Sequence, residues 1–502
     1  MSKQLFLFIA SLFLTVSVLS QSDSLQIAEE YIELKGVVFD SKTKQVLPYV
    51  NISILKNNKG TVTNELGAFM LIASDINATD TIRFQFIGFK TKNVTISEIQ
   101  SSSEIFLEED LFSIDEVFVL SNRPDPEDIV KKILKNREEN YKIEPRKEQT
   151  FLRERYLADL EEFQIDYKKS TIEDLNKDMI GSFQEKVPKH TTSYTDFLGK
   201  VYLNIDSVGK KSMKIDPIKK VKLKSKELTD MKQFEVVFED LINNTEDKEY
   251  WKIKTGIFSE KIELDEDDSI HELGEQKNTD NIKDFKNSLL NLRKYSTFKD
   301  KDLWDFLYKT NSYEFSFEGG TTIGNEDAYI IDFVPKKRGL YMGRLYVATK
   351  SFALLRADYK FAPNKTGRDI HLLGFSYEHT YFSGSIYFEK KGKNYVLKYF
   401  SHKKIETYGV ERNLAFQKKK KRFLFDKKLQ ELKIGLDLKI KSQVLIEYLA
   451  LDSNLISDET YDAFDEQEQM NVIYVDKFDE SLWKGYSIIE PTKQMRDYIK
   501  TK

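Results

Sequence analysis

The segment Gly60-Thr-Val-Thr-Asn-Glu-Leu-Gly-Ala-Phe69 decides the fold of the N-terminal part of this chain. Between Thr63 and Phe69 the chain must reverse, which takes residues tolerant of positive φ and a side chain that bonds its own backbone. Gly67 and Asn64 supply both. Around this turn, residues 33–108 show period-two alternation in short runs. Val37 and Phe39, then Val50, Ile52 and Ile54, then Ile82, Phe84 and Phe86 each put apolar side chains on one face of a strand. Residues 40–44 and Gly88 read as further turns, and Pro48 suits a strand entrance or edge. About seven strands fit this length with no helix among them, so a small antiparallel sandwich is the economical way to bury their faces.

An ordered set of pieces carries a family resemblance: Gly36-Val-Val-Phe-Asp40, Pro48-Tyr-Val-Asn-Ile52, the Gly60 to Phe69 turn, Ile87-Gly-Phe89, Leu107 and Ile114-Asp-Glu-Val117. Together they resemble the carboxypeptidase regulatory-like domain. The resemblance implies a transthyretin-like β-sandwich and a cell-envelope setting, since such domains stand beside zinc carboxypeptidases and ahead of many TonB-dependent outer-membrane transporters.

The resemblance does not extend to an activity. A carboxypeptidase-type zinc site needs a His-x-x-Glu pair and a later His, because the metal takes three fixed ligands and keeps one position open. The chain has five histidines, His190, His271, His371, His379 and His402, and three places after them stand Ser193, Gly274, Gly374, Phe382 and Ile405. None makes the pair. His271-Glu-Leu-Gly-Glu275 lacks the second His of a zincin helix. A TonB-linked barrel would need many more lipid-facing strands and a far longer chain.

The first twenty residues read as an export leader, with Lys3 ahead of an apolar stretch from Leu5 to Leu19 and cleavage after Ser20. The stretch is shorter than a membrane span, and no other window approaches one. The chain has no cysteine, hence neither a disulfide framework nor a lipidation site behind the leader. The expected location is therefore periplasmic or outer-membrane associated. The formal net charge is −4, or −5 once Lys3 leaves with the leader, which argues against a nucleic-acid partner. The most basic run, Lys418-Lys-Lys-Lys-Arg422, reads as a solvated loop, with anionic lipid headgroups or surface polysaccharide as the alternative.

After residues 109–148, a linker and a helix, the remainder at 149–502 reads as β-rich with helical insertions. Asp125 can cap a helix beginning at Pro126, with Ile129, Val130, Ile133 and Leu134 as its buried stripe. Strand-like runs fall at 149–157, 200–204, 313–318, 328–335, 343–349, 354–361, 384–390 and 395–400. Helices are expected near 174–179, 229–242, 281–295 and 302–308. The short later spacers imply antiparallel pairing. The expected fold class is thus mainly β with helical insertions: a seven-stranded sandwich at 33–108, then a large antiparallel sheet, flat or curved.

Tyr329-Ile-Ile-Asp-Phe-Val-Pro335, Gly343-Arg-Leu-Tyr-Val-Ala348 and Leu355-Arg-Ala-Asp-Tyr359 resemble consecutive strands of the outer-membrane lipoprotein-carrier fold, an open half-barrel around an apolar cavity. The alternative is a plain antiparallel sheet covered by helices. Over its full length, through Asp196-Phe-Leu-Gly-Lys-Val-Tyr-Leu203, Tyr250 to Phe258, Leu372 to Tyr377 and Trp483 to Pro491, the chain resembles bacterial envelope proteins with carboxypeptidase-like regulatory domains. That group brings no activity with it. The acidic cluster Glu263, Asp265, Glu266, Asp267 and Asp268 lacks the spacing that wraps calcium. No Gly-x-Ser-x-Gly elbow or phosphate loop is present, and among 82 acidic residues no glycosidase pair stands out. No catalytic, cofactor or metal residue is therefore expected. The leading expectation is a non-enzymatic envelope protein that binds or scaffolds a protein or glycan. A carrier of lipid or another apolar ligand is second, and an unrecognised hydrolase third.

Overall fold

The computed structural model describes residues 31–56, 60–73, 76–110, 125–142, 144–205, 211–223, 248–256, 258–262, 278–294, 297–323, 326–423 and 425–498. The leader, the expected helix at 229–242 and the acidic cluster at 263–268 lie outside them.

Seven strands form the N-terminal sandwich: β1 (Ile32–Asp40), β2 (Asn51–Ile54), β3 (Gly60–Val62), β4 (Ala68–Ala73), β5 (Thr81–Gln85), β6 (Lys92–Thr95) and β7 (Glu104–Leu107). One sheet runs β4-β1-β7 and the other β3-β2-β5-β6. Four expectations need correction. The β1·β7 pair is parallel, and a short helix, α1 (Ile96–Ser101), capped by Thr95, lies between β6 and β7. On β1 the inward residues are Leu34, Gly36 and Val38, while Val37 and Phe39 face outward, Phe39 stacking on Phe106. A Cβ at position 36 would stand 2.4 Å from the Ser103 carbonyl oxygen, so the inner row carries a glycine and looks less apolar than the outer one. Pro48 sits in a turn rather than at a strand edge.

The expected reversal is an Asx turn: Asn64 Oδ1 accepts from the amides of Leu66 and Ala68, and Gly67 takes φ +71. From Pro126 to Lys135 runs α2, capped by Asp125 as the sequence indicates, burying Ile129, Val130 and Ile133.

The remaining strands are β8 (Arg146–Ser170), β9 (His190–Ile205), β10 (Lys211–Leu223), β11 (Glu249–Thr255), β12 (Phe258–Ile262), β13 (Thr279–Asn281), β14 (Tyr313–Ile323), β15 (Glu326–Pro335), β16 (Tyr341–Ala348), β17 (Leu354–Phe361), β18 (Asp369–Leu372), β19 (Phe375–Lys391), β20 (Asn394–Lys420), β21 (Lys427–Leu455), β22 (Gln469–Asn471) and β23 (Ile473–Val475). One sheet joins them in the order β14-β15-β16-β17-β19-β20-β21-β8-β9-β10-β23, with β11, β12 and β18 off this path, and β13 pairs with β22 separately. The pairing is antiparallel as expected, save β10·β23 at one edge.

Both faces of the middle of this sheet are buried, which is why residues 444–450 are buried without alternation. Leu152, Phe197, Phe400 and Tyr448 point into a core shared with α2, with α4 (Ile282–Lys294) and with the short α5 (Asp305–Tyr308). Their neighbours Phe151, Leu198, Tyr399 and Leu449 point to the opposite face and pack on Val62, Met70 and Ile72 of the sandwich and on Trp483, Ile488 and Ile489. The order of layers is therefore helices, sheet, sandwich. On the helix side Trp304, Phe306, Tyr313, Phe333, Tyr341 and Tyr359 interlock at ring distances between 4.4 and 6.3 Å. The cavity beside Trp304 and His402 is about 10 Å³, far below the several hundred that ligand pockets occupy. This counts against the carrier expectation: the protein's own aromatic side chains fill the face on which an apolar ligand would lie.

Candidate functional site

Two places set themselves apart: the junction between sandwich and sheet, and an arm where the long strands run beyond the covered core.

At the junction, Arg153 on β8 stands directly opposite Asp196 on β9. Its Nε and Nη2 donate to the two carboxylate oxygens at 2.8 and 2.7 Å, and Nη1 donates to the Ile489 carbonyl at 2.8 Å. Both side chains are at most 5% exposed, so fork and carboxylate satisfy each other in a dry setting. The same C-terminal segment accepts from the sandwich: Thr61 Oγ1 donates to the Ile488 carbonyl at 2.9 Å and Asn64 Nδ2 to that of Glu490 at 2.9 Å. Tyr49 stacks on Tyr399 of the sheet with ring centres 4.9 Å apart. Arg155 reaches Glu65 at 3.3 Å.

Glu447 lies fully inside this junction, and burial pushes its carboxyl up to about 7, with the nearby Arg153 guanidinium opposing that rise. On the opposite face burial, helped by Lys404, lowers the His402 imidazole to about 4. A cleft of about 400 Å³, counting the solvent at its mouth, opens beside the junction between Phe86 and Ile87 of the sandwich and Arg356 and Tyr387 of the sheet. Within it the Arg356 guanidinium lies 4.0 Å from the centre of the Phe86 ring and is held by Asp358 at 2.6 Å. Its cation is thus already engaged by the chain itself.

The arm has a different character. Strands β8, β20 and β21 are 25, 27 and 29 residues long, so β21 extends about 90 Å at the usual rise per residue. Along β21 the helix-facing row Val444, Ile446 and Tyr448 continues outward as Ile440, Leu438, Leu436, Ile434 and Leu432. At the far end α3 (Lys177–Lys186), Trp251 and Ile172 cover it. Between the two covered ends, the register aligns Leu372, Phe375, Val410, Leu438 and Phe163 across five strands, and beside them Ile370, Tyr377, Tyr408, Ile440 and Leu160.

This double row ends on β18. All four of its residues are exposed, and it pairs with β19 alone among the described strands. A two-residue turn through Leu373 (φ 51) and Gly374 (φ 75) joins it to β19. Ile370, Leu372, Leu373 and Phe375 are 46–63% exposed, and the outer backbone edge of β18 is available for pairing.

His190 and His371 are surface residues bonded to Asp159 and Asp369 at 2.8 and 3.0 Å, His379 and His402 lie within the sheet, and His271 falls outside the described residues. Among the described residues no cluster of three His, Cys, Asp or Glu is placed to hold a metal. No helix among them is long and apolar enough to cross a membrane, which says nothing of membrane-spanning strands. The basic run is only partly a loop: Lys418, Lys419 and Lys420 belong to β20, and Glu249 binds Lys418 at 3.1 Å and Lys420 at 3.5 Å. Sequence reasoning missed β18 and the arm, although Leu432, Ile434, Leu436, Leu438 and Ile440 announce a strand by strict alternation.

No curated protein matches the chain. Among solved structures, it is similar to the Pseudomonas aeruginosa MucA/MucB complex at 8% identity and a TM-score of 0.18, covering 66% of this chain and all of that one. It is also similar to MucB in complex with periplasmic MucA, at 9%, 0.17 and the same coverage, and to MucB alone at 8% and 0.17, covering 62% of this chain and 93% of that one. Scores this low carry no argument here. Residues 34–119 match the CarboxypepD_reg-like domain model, and the seven-stranded sandwich described above spans almost the same residues: the chain carries a carboxypeptidase regulatory-like domain at its N-terminal end.

Proposed function

We propose that this protein is a non-catalytic scaffold of the cell envelope that receives an extended segment of a protein partner along β18. One observation carries the reading: an edge strand with all four residues exposed, bearing Ile370 and Leu372 at the end of an apolar double row. A partner strand would gain ladder hydrogen bonds from the β18 edge and side-chain contacts from the row, the two components of binding by strand addition. The leader-like first twenty residues support an exported setting, and the sandwich at 33–108 then serves as a fixed brace for the sheet. With Thr61, Asn64, Glu65 and Tyr49 all engaged across the junction, it does not act as a swinging adaptor.

The test places a photoreactive benzophenone amino acid at Leu372 in the full chain, with Lys441, exposed on the opposite face of the arm, as control position. The expected result is a predominant protein adduct from position 372 in the envelope fraction, lost on Ile370→Lys and absent from position 441. Equal adducts from both positions would overturn the proposal. Adducts that resist protease but yield to glycan hydrolases would transfer the site to a glycan, and adducts with a second copy of the chain would make it a self-association edge.

A further inference from the structure

The hairpin joining β20 to β21 ends in a tip whose chemistry neither packing nor strand addition on β18 explains. Its sequence is Lys418-Lys-Lys-Lys-Arg-Phe-Leu-Phe-Asp-Lys-Lys428. Phe423 is fully exposed and Phe425 85% exposed, the two most exposed large apolar side chains among the described residues. A pair of aromatic rings standing in water two residues apart gives up the burial that drives folding, so the fold itself gains nothing from them.

The charges around them make the same point independently. In the ladder Lys419 lies opposite Lys428 and Lys420 opposite Lys427, and like charges in directly paired positions destabilise a sheet. Glu249 answers Lys418 and Lys420, Glu431 answers Lys428 at 2.8 Å, and Asp426 lies in the tip beside Lys419 and Lys421. Seven cations from Lys418 to Lys428 against these three carboxylates leave a net charge of +4 at the tip of a chain whose total is −4. Unfavourable cross-strand repulsion kept beside unburied rings is the composition of a surface that meets something both anionic and apolar.

We propose that this tip docks on an anionic lipid surface, with Phe423 and Phe425 entering the headgroup–acyl boundary and the lysines and Arg422 forming a collar at the phosphates. Of the polyanions that would satisfy the cations, only a lipid layer also offers an apolar phase to the rings, which is why it is favoured over nucleic acid or soluble polysaccharide. The placement also fits the length of the arm: β20 and β21 carry the tip past the end of β8, whose last ladder partner on β21 is Leu432, and among the described residues the strand that runs beside the tip is β11.

The experiment is co-sedimentation of the full chain with vesicles of equal parts phosphatidylglycerol and phosphatidylethanolamine, against pure phosphatidylcholine vesicles. Binding is expected to the anionic vesicles only, weakening roughly fivefold for each cation lost, as in Lys421→Gln and Arg422→Gln, and falling with added salt. Phe423→Ser with Phe425→Ser is expected to reduce it about tenfold or more, while circular dichroism and the thermal midpoint stay unchanged because neither ring is packed. In a Phe423→Trp variant, indole emission should shift to the blue on adding anionic vesicles. Binding that is insensitive to the double serine variant, or an unshifted tryptophan, would overturn the proposal. The same loss of binding by soluble polyphosphate competition with no effect of the serine variant would assign the tip to a soluble polyanion instead.

Discussion

The junction and the arm use the same large sheet in opposite ways. At the junction strong groups find partners in other parts of the chain: Arg153 has Asp196 and the Ile489 carbonyl, Asn64 has the Glu490 carbonyl, and Tyr49 has Tyr399. On the arm the apolar row between the helices and α3 ends in side chains about half exposed and a strand edge with one neighbour. The contrast separates what holds the molecule together from what it offers outward. Substitutions at the junction should therefore report on stability, and those on the arm on binding.

The largest effect is expected for Arg153→Ala. It removes the fork that satisfies a carboxylate 2% exposed and leaves Asp196 buried without its countercharge, a loss of about 3–5 kcal/mol in denaturant unfolding. The paired change Arg153→Met with Asp196→Leu should recover most of it, since both desolvation costs vanish together. A single-mutant loss below about 1 kcal/mol would mean that the junction is wetter than its geometry implies.

Next is Glu447→Gln, whose effect has a definite sign with pH. A carboxyl raised from its ordinary value to about 7 by burial keeps its proton in the folded state while the unfolded chain releases it. Its cost to stability is absent below about pH 4.5, grows as pH rises, and is complete above about 7. The variant should thus gain about 2–3 kcal/mol over the parent at pH 8 and nothing near pH 4. His402, lowered to about 4, has the opposite slope: the unfolded chain takes up the proton first, so stability falls as pH drops from about 6.5 towards 4. In the parent this slope is offset between about pH 4.5 and 6.5 by Glu447 and by Glu490, whose carboxyl burial also raises to about 7. Removing Glu447 should lessen that offset, read as a thermal midpoint that falls more steeply, or rises less, towards acid across that window than in the parent.

The sequence disclosed these two regions unequally. The sandwich was legible because its signals are local: the turn needs Asn64 and Gly67 three residues apart, and Ile52, Ile54, Ile82 and Phe84 alternate as half-buried strands do. Its inner face on β1 was misread because Gly36 interrupts the buried row. The junction was invisible because Arg153 meets Asp196 43 residues away and the Ile489 carbonyl 336 away, while Asn64 meets the Glu490 carbonyl 426 away, and a lone Arg153 in a sequence rich in charges carries no mark of burial. The arm lay between these cases. Its alternation at Leu432 to Ile440 was there to be read, but the intervening Lys433, Asp437 and Lys439 gave the stretch the look of a charged surface, and the cross-strand neighbours that make it a row come from β8, β18, β19 and β20. That the face would be left partly uncovered follows from where α3 and the helical core stop, which no local pattern states.

The smallest expected effect on stability is the one that sharpens the comparison most. Ile370→Lys with Leu372→Lys alters two apolar residues of the same kind as the junction's Leu449, which is wholly buried and whose truncation belongs to the class costing about 2–5 kcal/mol. On β18 the two side chains are 48% and 63% exposed and contribute little to folding, so the double variant should unfold within about 0.5 kcal/mol of the parent. Lysines on an edge strand also disfavour the approach of another strand, so the capture of a partner from position 372 should disappear while the denaturation curve stays where it was. A marked loss of stability instead would mean that the row is sealed by the chain itself, and the arm would then belong with the junction as structure rather than as a surface kept for something else.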